Sequence, residues 1–92
     1  LTPEQARDMM EHVPLWTLAD DSKSISRTFR FKDFKQALAF TNKVGEIAEE
    51  EGHHPDIQLG WGKVGLLLTT HSIGGLSEND FIVGAKIDLI DS

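Results

Sequence analysis

The fold is decided by residues 49–71, which read EEEGHHPDIQLGWGKVGLLLTTH. Gly52 closes a helical pattern, and glycine is the residue that most often ends a helix in the left-handed conformation. Apolar and polar residues then alternate over 57–61, and a further strand is expected over 64–70, with a glycine-rich stretch between them, as in two strands joined by a turn. With the turn near 61–62, antiparallel partners have residue numbers that sum to about 123–125. The stretch therefore predicts a β-hairpin that follows a helix.

Three further elements precede the hairpin. Residues 23–31 alternate between apolar and polar side chains, which predicts an antiparallel strand with one packed face, and 15–19 is a shorter strand candidate. Residues 33–51 repeat with helical spacing, with Asp33 as the N-cap and Gln36 as its capping-box partner. Two strands and a long helix are thus expected directly before the hairpin.

The two ends of the chain also read as helices. Thr2 can cap a helix that Pro14 ends. Ser77 can cap the last helix, with Asp80 at its third position. Apolar residues of this last helix form two stripes, which suggests contact with a partner subunit as well as with the core.

The expected order is therefore α-β-β-α-β-β-α, an α+β architecture in one domain spanning residues 1–92. The net charge of -6 makes a general nucleic-acid binder improbable, because an acidic chain repels phosphates. The chain has no cysteine, which excludes a disulfide scaffold, a thiolate zinc site and a cysteine nucleophile. No run of 18 apolar residues and no signal-peptide pattern is visible, so we expect no membrane span and a cytoplasmic location.

Histidines are the side chains here that change charge near neutral pH, and three of the four lie between 53 and 71. The hairpin register brings His71, at the end of one strand, towards His53 and His54 at the start of the other. Pro55 biases His54 away from helical angles, and Glu49 precedes His53 by one helical turn. Three imidazoles with a carboxylate at one end of a sheet suit proton transfer.

Simpler interpretations exist for each of these residues. Three histidines with Glu or Asp could bind zinc, but adjacent histidines rarely place both rings on one ion, so we expect no metal site. Asp80 is explained by helix capping, and Trp61 by a role in the core or the turn. His12 stands apart and is interpreted as a surface residue.

The combined spacing Glu49-x3-His53-His54-Pro55-x5-Trp61-x9-His71-x8-Asp80 resembles the signature of the pterin-4a-carbinolamine dehydratases. The resemblance extends over essentially the whole chain and includes the Phe29-x-Phe31-x-Asp33-Phe34-x-x-Ala37 segment that leads into the long helix. It implies a four-stranded antiparallel sheet with three helices packed on one face, assembled as a homodimer or homotetramer.

The resemblance also implies an activity. Members of the family dehydrate 4a-hydroxytetrahydropterin to quinonoid dihydropterin and water, in the recycling of tetrahydrobiopterin, without a metal or cofactor. By analogy, His53 and His71 would form the acid/base pair and His54 would position the substrate. Glu49 and Asp80 would orient the imidazoles or contact the pterin, while Pro55 and Trp61 would help to bind the substrate and line the site.

Two alternatives remain at this point. The chain could be a non-catalytic interaction protein that stabilises a partner's oligomer with the same fold. It could also be an enzyme for another pterin, such as a molybdopterin-related step.

Overall fold

The structure, a computed structural model, describes residues 1–90, so the last two residues of the expected 1–92 domain lie outside the described residues. Three helices and four strands follow each other in the expected order: α1 (Pro3–Met9), β1 (Thr17–Leu18), β2 (Ile25–Arg30), α2 (Phe34–Glu51), β3 (Asp56–Gly60), β4 (Lys63–Leu68) and α3 (Glu78–Asp88). Short 3-10 turns at Met10–His12 and His71–Ile73 extend α1 and follow β4.

The four strands form one antiparallel sheet in the order β1-β2-β4-β3. In the β3–β4 hairpin, Gly60 pairs with Lys63 and Asp56 with Leu67, so partner numbers sum to 123. This register confirms the turn at Trp61 and Gly62. It also sets which residues meet beyond the ends of the strands.

All three helices contribute to a core on one face of the sheet, as the resemblance implied. Alternate residues of β2 and β4 point into that core, and they are fully or almost fully buried: Ile25, Val64, Leu66 and Leu68. They pack with Ala6, Val13, Phe40, Val44, Phe81 and Ile87 of the helical layer. The other face of the sheet carries Ser26, Thr28, Gln58, Gly65 and Leu67. Leu67 is 36% exposed, so this second face of β4 is only partly covered within one chain.

Both ends of α2 are specified by their capping residues. Asp33 Oδ1 accepts a hydrogen bond from the Gln36 N–H at 2.9 Å. The expected return bond was wrong in detail, because Gln36 Oε1 accepts from the Lys32 N–H rather than from Asp33. Gly52 adopts φ 63° and ψ 30° at the C-terminal end, which confirms the left-handed stop.

Three strands are shorter than the sequence predicts. β2 comprises Ile25–Arg30 of the expected 23–31. β1 comprises only Thr17–Leu18 of the expected 15–19. β4 ends at Leu68 instead of Thr70, because Thr70 pairs with Gly75 and the chain between them forms a 3-10 turn. This early turn determines where His71 lies.

The last helix buries one of its two apolar stripes. Val83 and Ile87 are completely buried, whereas Ile82 is 42% and Leu89 83% exposed. Contact of the exposed residues with a partner subunit stays a prediction. None of the helices between residues 1 and 90 has the length and apolar character that a transmembrane span requires.

Candidate active site

His53 is fixed between the end of α2 and the start of β3. Its N–H donates to the Ala48 carbonyl at 3.1 Å, which continues the hydrogen bonding of the helix through the left-handed Gly52. Its ring Nε2 is hydrogen-bonded to Asp80 Oδ1. The His53 side chain is 14% exposed and that of Asp80 0%. The structure therefore holds this imidazole at the edge of the core, by a carboxylate that solvent does not reach.

The Asp80 carboxylate is bound through both oxygens. Oδ2 accepts from the Thr70 hydroxyl at 2.8 Å and from the Ser77 N–H at 3.0 Å. The hydroxyls of Thr70 and Ser77 are 2.6 Å apart and hydrogen-bonded to each other. Capping of α3 by Asp80 is thus confirmed, and the same carboxylate orients His53. Every buried side-chain nitrogen and oxygen within residues 1–90 has a hydrogen-bond partner.

His54 forms a second histidine–carboxylate pair. Its Nε2 is hydrogen-bonded to Oε2 of Glu49, in the last turn of α2. This pair is more open than the first, since the side chains of His54 and Glu49 are 58% and 77% exposed. Pro55, which follows, is buried and has a trans peptide bond. The two adjacent histidines therefore point to different carboxylates.

In both histidine–carboxylate pairs, Nε2 binds the carboxylate and Nδ1 is left for proton transfer. A carboxylate oxygen only accepts hydrogen bonds, so Nε2 of His53 and of His54 donates to it. In the neutral imidazole, Nδ1 then carries the lone pair. Nδ1 is the atom at which either ring can take up or release a proton.

His71 is the first residue of the 3-10 turn after β4 and is exposed. Its side chain makes no hydrogen bond or ion pair with any residue in the described part of the chain. Extension of the hairpin register places His53 opposite Thr70, so His71 follows directly after the residue that binds Asp80. The structure brings His71 to the same end of the sheet as His53 and His54, without a contact that fixes its ring.

Trp61 lies elsewhere. It occupies the β3–β4 turn and is 71% exposed. Seven extended residues separate it from His54, a span of about 23 Å. Because the turn and the histidines lie at opposite ends of the hairpin, one chain does not bring Trp61 into the histidine cluster.

Sequence reasoning missed the role of Thr70 and of the Ser77 backbone in binding Asp80. The only signal was local: Thr70 directly precedes His71, and Ser77 was recognised as a cap. It also missed a half-buried cluster in which Asp88 Oδ1 accepts from Trp16 Nε1 at 2.8 Å and from Arg27 at 2.7 Å.

A salt bridge joins α3 to the end of α2 beside the site. Lys86 donates to Glu51, and this hydrogen bond raises the pKa of the Lys86 ammonium above its usual value of 10.5. Of the three acids that end α2, Glu49 and Glu51 are therefore paired.

One expectation concerns a histidine outside this cluster. His12 is a surface residue, with 57% of its side chain exposed beside Glu11. Within residues 1–90, no group of three or more His, Asp or Glu side chains is arranged to hold a metal ion.

Comparison with known proteins gives one consistent family. The family described as pterin 4 alpha carbinolamine dehydratase matches residues 1–90. A relative from Methylococcus capsulatus is 53% identical over 88 residues, covering 96% of this chain and 77% of the relative. A relative from Aromatoleum aromaticum is 49% identical, covering 96% of this chain and 79% of the relative. Both carry the name pterin-4-alpha-carbinolamine dehydratase as a provisional one.

Solved structures are similar in fold. The crystal structure of a transcriptional coactivator/pterin dehydratase from Brucella melitensis has a TM-score of 0.88 at 31% identity, over 96% of this chain and 94% of that chain. A pterin dehydratase-like protein described as a RuBisCO assembly factor in the alpha-carboxysome has a TM-score of 0.69 at 24% identity, over 84% and 89% of the two chains. At that identity, the second similarity shows the fold alone.

Proposed function

The chain belongs to the pterin 4 alpha carbinolamine dehydratase family, and from that premise we propose that it dehydrates 4a-hydroxytetrahydropterin to quinonoid dihydropterin and water. The physiological role would be the recycling of a tetrahydropterin such as tetrahydrobiopterin. The observation that carries the proposal is the pair formed by His53 and the fully buried Asp80.

The reaction is an elimination that needs two proton transfers. The 4a-hydroxyl leaves as water when it receives a proton, and the neighbouring ring nitrogen, N5, loses its proton as the N5=C4a double bond forms. One imidazolium can supply the first proton and one neutral imidazole can accept the second. Exchange with solvent then restores both rings, so neither electrons nor further reactants are required.

His53 suits a fixed acid/base role. Asp80 holds Nε2, so Nδ1 is directed by a network that includes Thr70 and Ser77. The anionic carboxylate also stabilises the imidazolium that forms when Nδ1 takes a proton, as the aspartate does in a Ser-His-Asp triad. We assign His71, at the same end of the sheet, as the second acid/base group.

His54 suits substrate positioning. Its ring is more exposed than that of His53, and its carboxylate partner Glu49 lies on the surface. Pro55 fixes the backbone that follows, at the first residue before β3. We assign His54, Glu49 and Pro55 to binding and orientation of the pterin, with no metal or redox cofactor.

A direct assay tests the proposal. An aromatic amino-acid hydroxylase generates 4a-hydroxytetrahydropterin, and the ultraviolet absorbance follows its dehydration with and without the purified chain. We expect a rate that increases in proportion to the chain's concentration. A rate equal to that of the spontaneous reaction at every concentration would exclude the dehydratase function.

A binding function is the second candidate. The Brucella melitensis structure is titled a transcriptional coactivator as well as a pterin dehydratase. The exposed Ile82 of α3 borders a groove of about 260 Å³ lined by Met9, His12, Phe81, Ile82 and Ala85, which offers an apolar surface to a protein. A chain with this function alone would be inert in the dehydration assay.

An enzyme for another pterin is the remaining alternative. Competition would separate it from the proposed activity, since a pterin bound more tightly than 4a-hydroxytetrahydropterin would inhibit its dehydration at low concentration. The cytoplasmic location and the dimeric or tetrameric state stay predictions from the sequence.

A further inference from the structure

The turn between β3 and β4 holds an exposed indole in a concave surface. Trp61 is 71% exposed and borders a cleft of about 490 Å³ lined by Arg30, Phe31, Trp61, Gly62 and Lys63. The Phe31 N–H donates to the Gly62 carbonyl at 2.8 Å, which fixes the turn against the end of β2. An anchored turn therefore presents the indole to solvent, in a cleft within the size range of small-molecule sites.

Two cations border the same cleft without a carboxylate partner. Arg30 and Lys63 are direct partners in the β2–β4 register, in which Cβ atoms lie about 5 Å apart and like charges repel. Neither side chain makes an ion pair with another residue in the range 1–90. A phosphate has enough acceptor oxygens and negative charge to bind both cations at once, so the pair matches one phosphate group.

The surroundings of the cleft are basic, although the chain as a whole has a net charge of -6. The segment that leads into α2 holds Arg30, Lys32 and Lys35 and a single acid, Asp33. The Asp33 carboxylate already accepts a hydrogen bond from the Gln36 N–H as the cap of α2. An anionic ligand is therefore attracted to this end of the sheet.

We propose that this cleft binds a free nucleotide, with its base stacked on Trp61 and its phosphate between Arg30 and Lys63. Stacking on an aromatic side chain accepts any planar base, because it requires no particular hydrogen-bonding edge. The combination of one flat aromatic surface with a pair of cations matches a ligand that carries a planar ring and a phosphate together.

This nucleotide site is separate from the histidine cluster. The cleft adjoins the start of α2 and His53 follows its end, and the 18 residues of the helix span about 27 Å. Binding of a nucleotide therefore does not depend on the proposed pterin reaction, and it is tested without that reaction.

Equilibrium dialysis of the full chain against adenosine 5′-monophosphate tests the site. Adenosine, which lacks the phosphate, and ribose 5-phosphate, which lacks the base, are the partial ligands. We expect the complete nucleotide to bind about tenfold or more tightly than either, with a dissociation constant that increases with salt. No binding at about 1 mM nucleotide, or equal binding of ribose 5-phosphate, would overturn the proposal.

Two variants and a matched control test the contacts. Trp61→Ala should weaken nucleotide binding about tenfold, because the stacking surface is lost. Lys63→Glu should weaken binding of the nucleotide about tenfold and leave that of adenosine unchanged. Lys23→Glu is the control, since Lys23 precedes the start of β2 whereas Lys63 pairs with its last residue. With all three variants folded by circular dichroism, equal losses in Lys63→Glu and Lys23→Glu would show that net charge alone decides binding.

His53→Ala tests the location, because a purine resembles a pterin in shape and the histidine cluster is the competing place for it. We expect the affinity for the nucleotide to be the same as in the wild-type chain. Loss of binding in His53→Ala, together with normal binding in Trp61→Ala, would place the nucleotide at the histidines and overturn the proposal.

A short single-stranded oligoadenylate tests the source of the nucleotide, since a strand presents the same base and phosphate. The net charge of -6 repels the additional phosphates, so we expect the strand to bind no more tightly than the mononucleotide. Tighter binding of the strand would overturn the assignment to a free nucleotide.

Discussion

His53 and Asp80 are joined by a hydrogen bond between Nε2 and Oδ1, although 27 residues separate them in the chain. His53 follows the end of α2 and Asp80 lies in the first turn of α3, and β3, β4 and the turn after β4 lie between them. The fold thus uses the first turn of α3 for two purposes. Asp80 caps the helix through Oδ2 and orients the imidazole through Oδ1.

Asp80→Asn should preserve the shape of this network and remove its charge. Without the carboxylate, the imidazolium of His53 loses its stabilising partner, so we expect kcat for pterin dehydration to fall about 100-fold. Steady-state kinetics together with circular dichroism measure this. A variant that is fully folded and fully active would show that Asp80 serves the helix alone.

Thr70→Val should weaken the hydrogen bonds around Asp80 at Oδ2, the oxygen that does not bind His53. The variant removes the hydroxyl that donates to Asp80 Oδ2, and we expect about 1–2 kcal/mol less free energy of unfolding and a kcat lowered about threefold to tenfold. Thr69→Val is a matched control, because the Thr69 hydroxyl donates to the Lys23 carbonyl instead. That control should lose stability and keep kcat, and equal kcat losses in the two variants would argue against a positioning role for Thr70.

Gly52 and Gly45 offer a matched pair for the end of α2. Gly52→Ala should lower the free energy of unfolding by about 1–2 kcal/mol, because Gly52 has φ 63° and alanine is strained there. Gly45→Ala should raise it by about 0.5–1 kcal/mol, since the position is helical and, apart from the adjoining residues and backbone of α2 itself, nothing lies within 4 Å of the added carbon. Urea denaturation measures both, and a shift of the same sign in the two variants would contradict this account of the stop.

His71→Ala tests the second acid/base group. Within residues 1–90 the exposed ring makes no hydrogen bond or ion pair, so we expect unchanged urea denaturation and a clearly lower kcat. His12→Ala, at another exposed histidine, should leave both quantities unchanged. If the two variants behave alike in the assay, His71 has no part in the reaction.

Much of this site could be predicted because its determinants are local. The left-handed stop at Gly52, the Asp80 cap and the sum of 123 in the hairpin follow from residue type and spacing. The same register already placed Trp61 in the turn, and therefore at the end of the hairpin opposite the histidines.

The rest depends on contacts between distant elements. Thr70 follows a run of apolar residues and another threonine, so from its sequence it looks like an ordinary strand residue. It binds Asp80 only because the fold brings the end of β4 beside the first turn of α3. Likewise, nothing local shows that Asp88 binds Trp16 and Arg27. Gln36 Oε1 accepts from the Lys32 N–H and not from the Asp33 N–H, and the conformation of this one side chain decides between the two donors.

The central claim is that His53, held by Asp80, transfers a proton in the dehydration of 4a-hydroxytetrahydropterin. The most direct measurement is the ultraviolet rate of that reaction with the wild-type chain, His53→Ala and the double variant His53→Ala with His71→Ala. We expect acceleration by the wild-type chain, a loss of about 100-fold or more in His53→Ala, and the spontaneous rate in the double variant, all with native circular dichroism. A folded double variant that is as fast as the wild-type chain would contradict the mechanism.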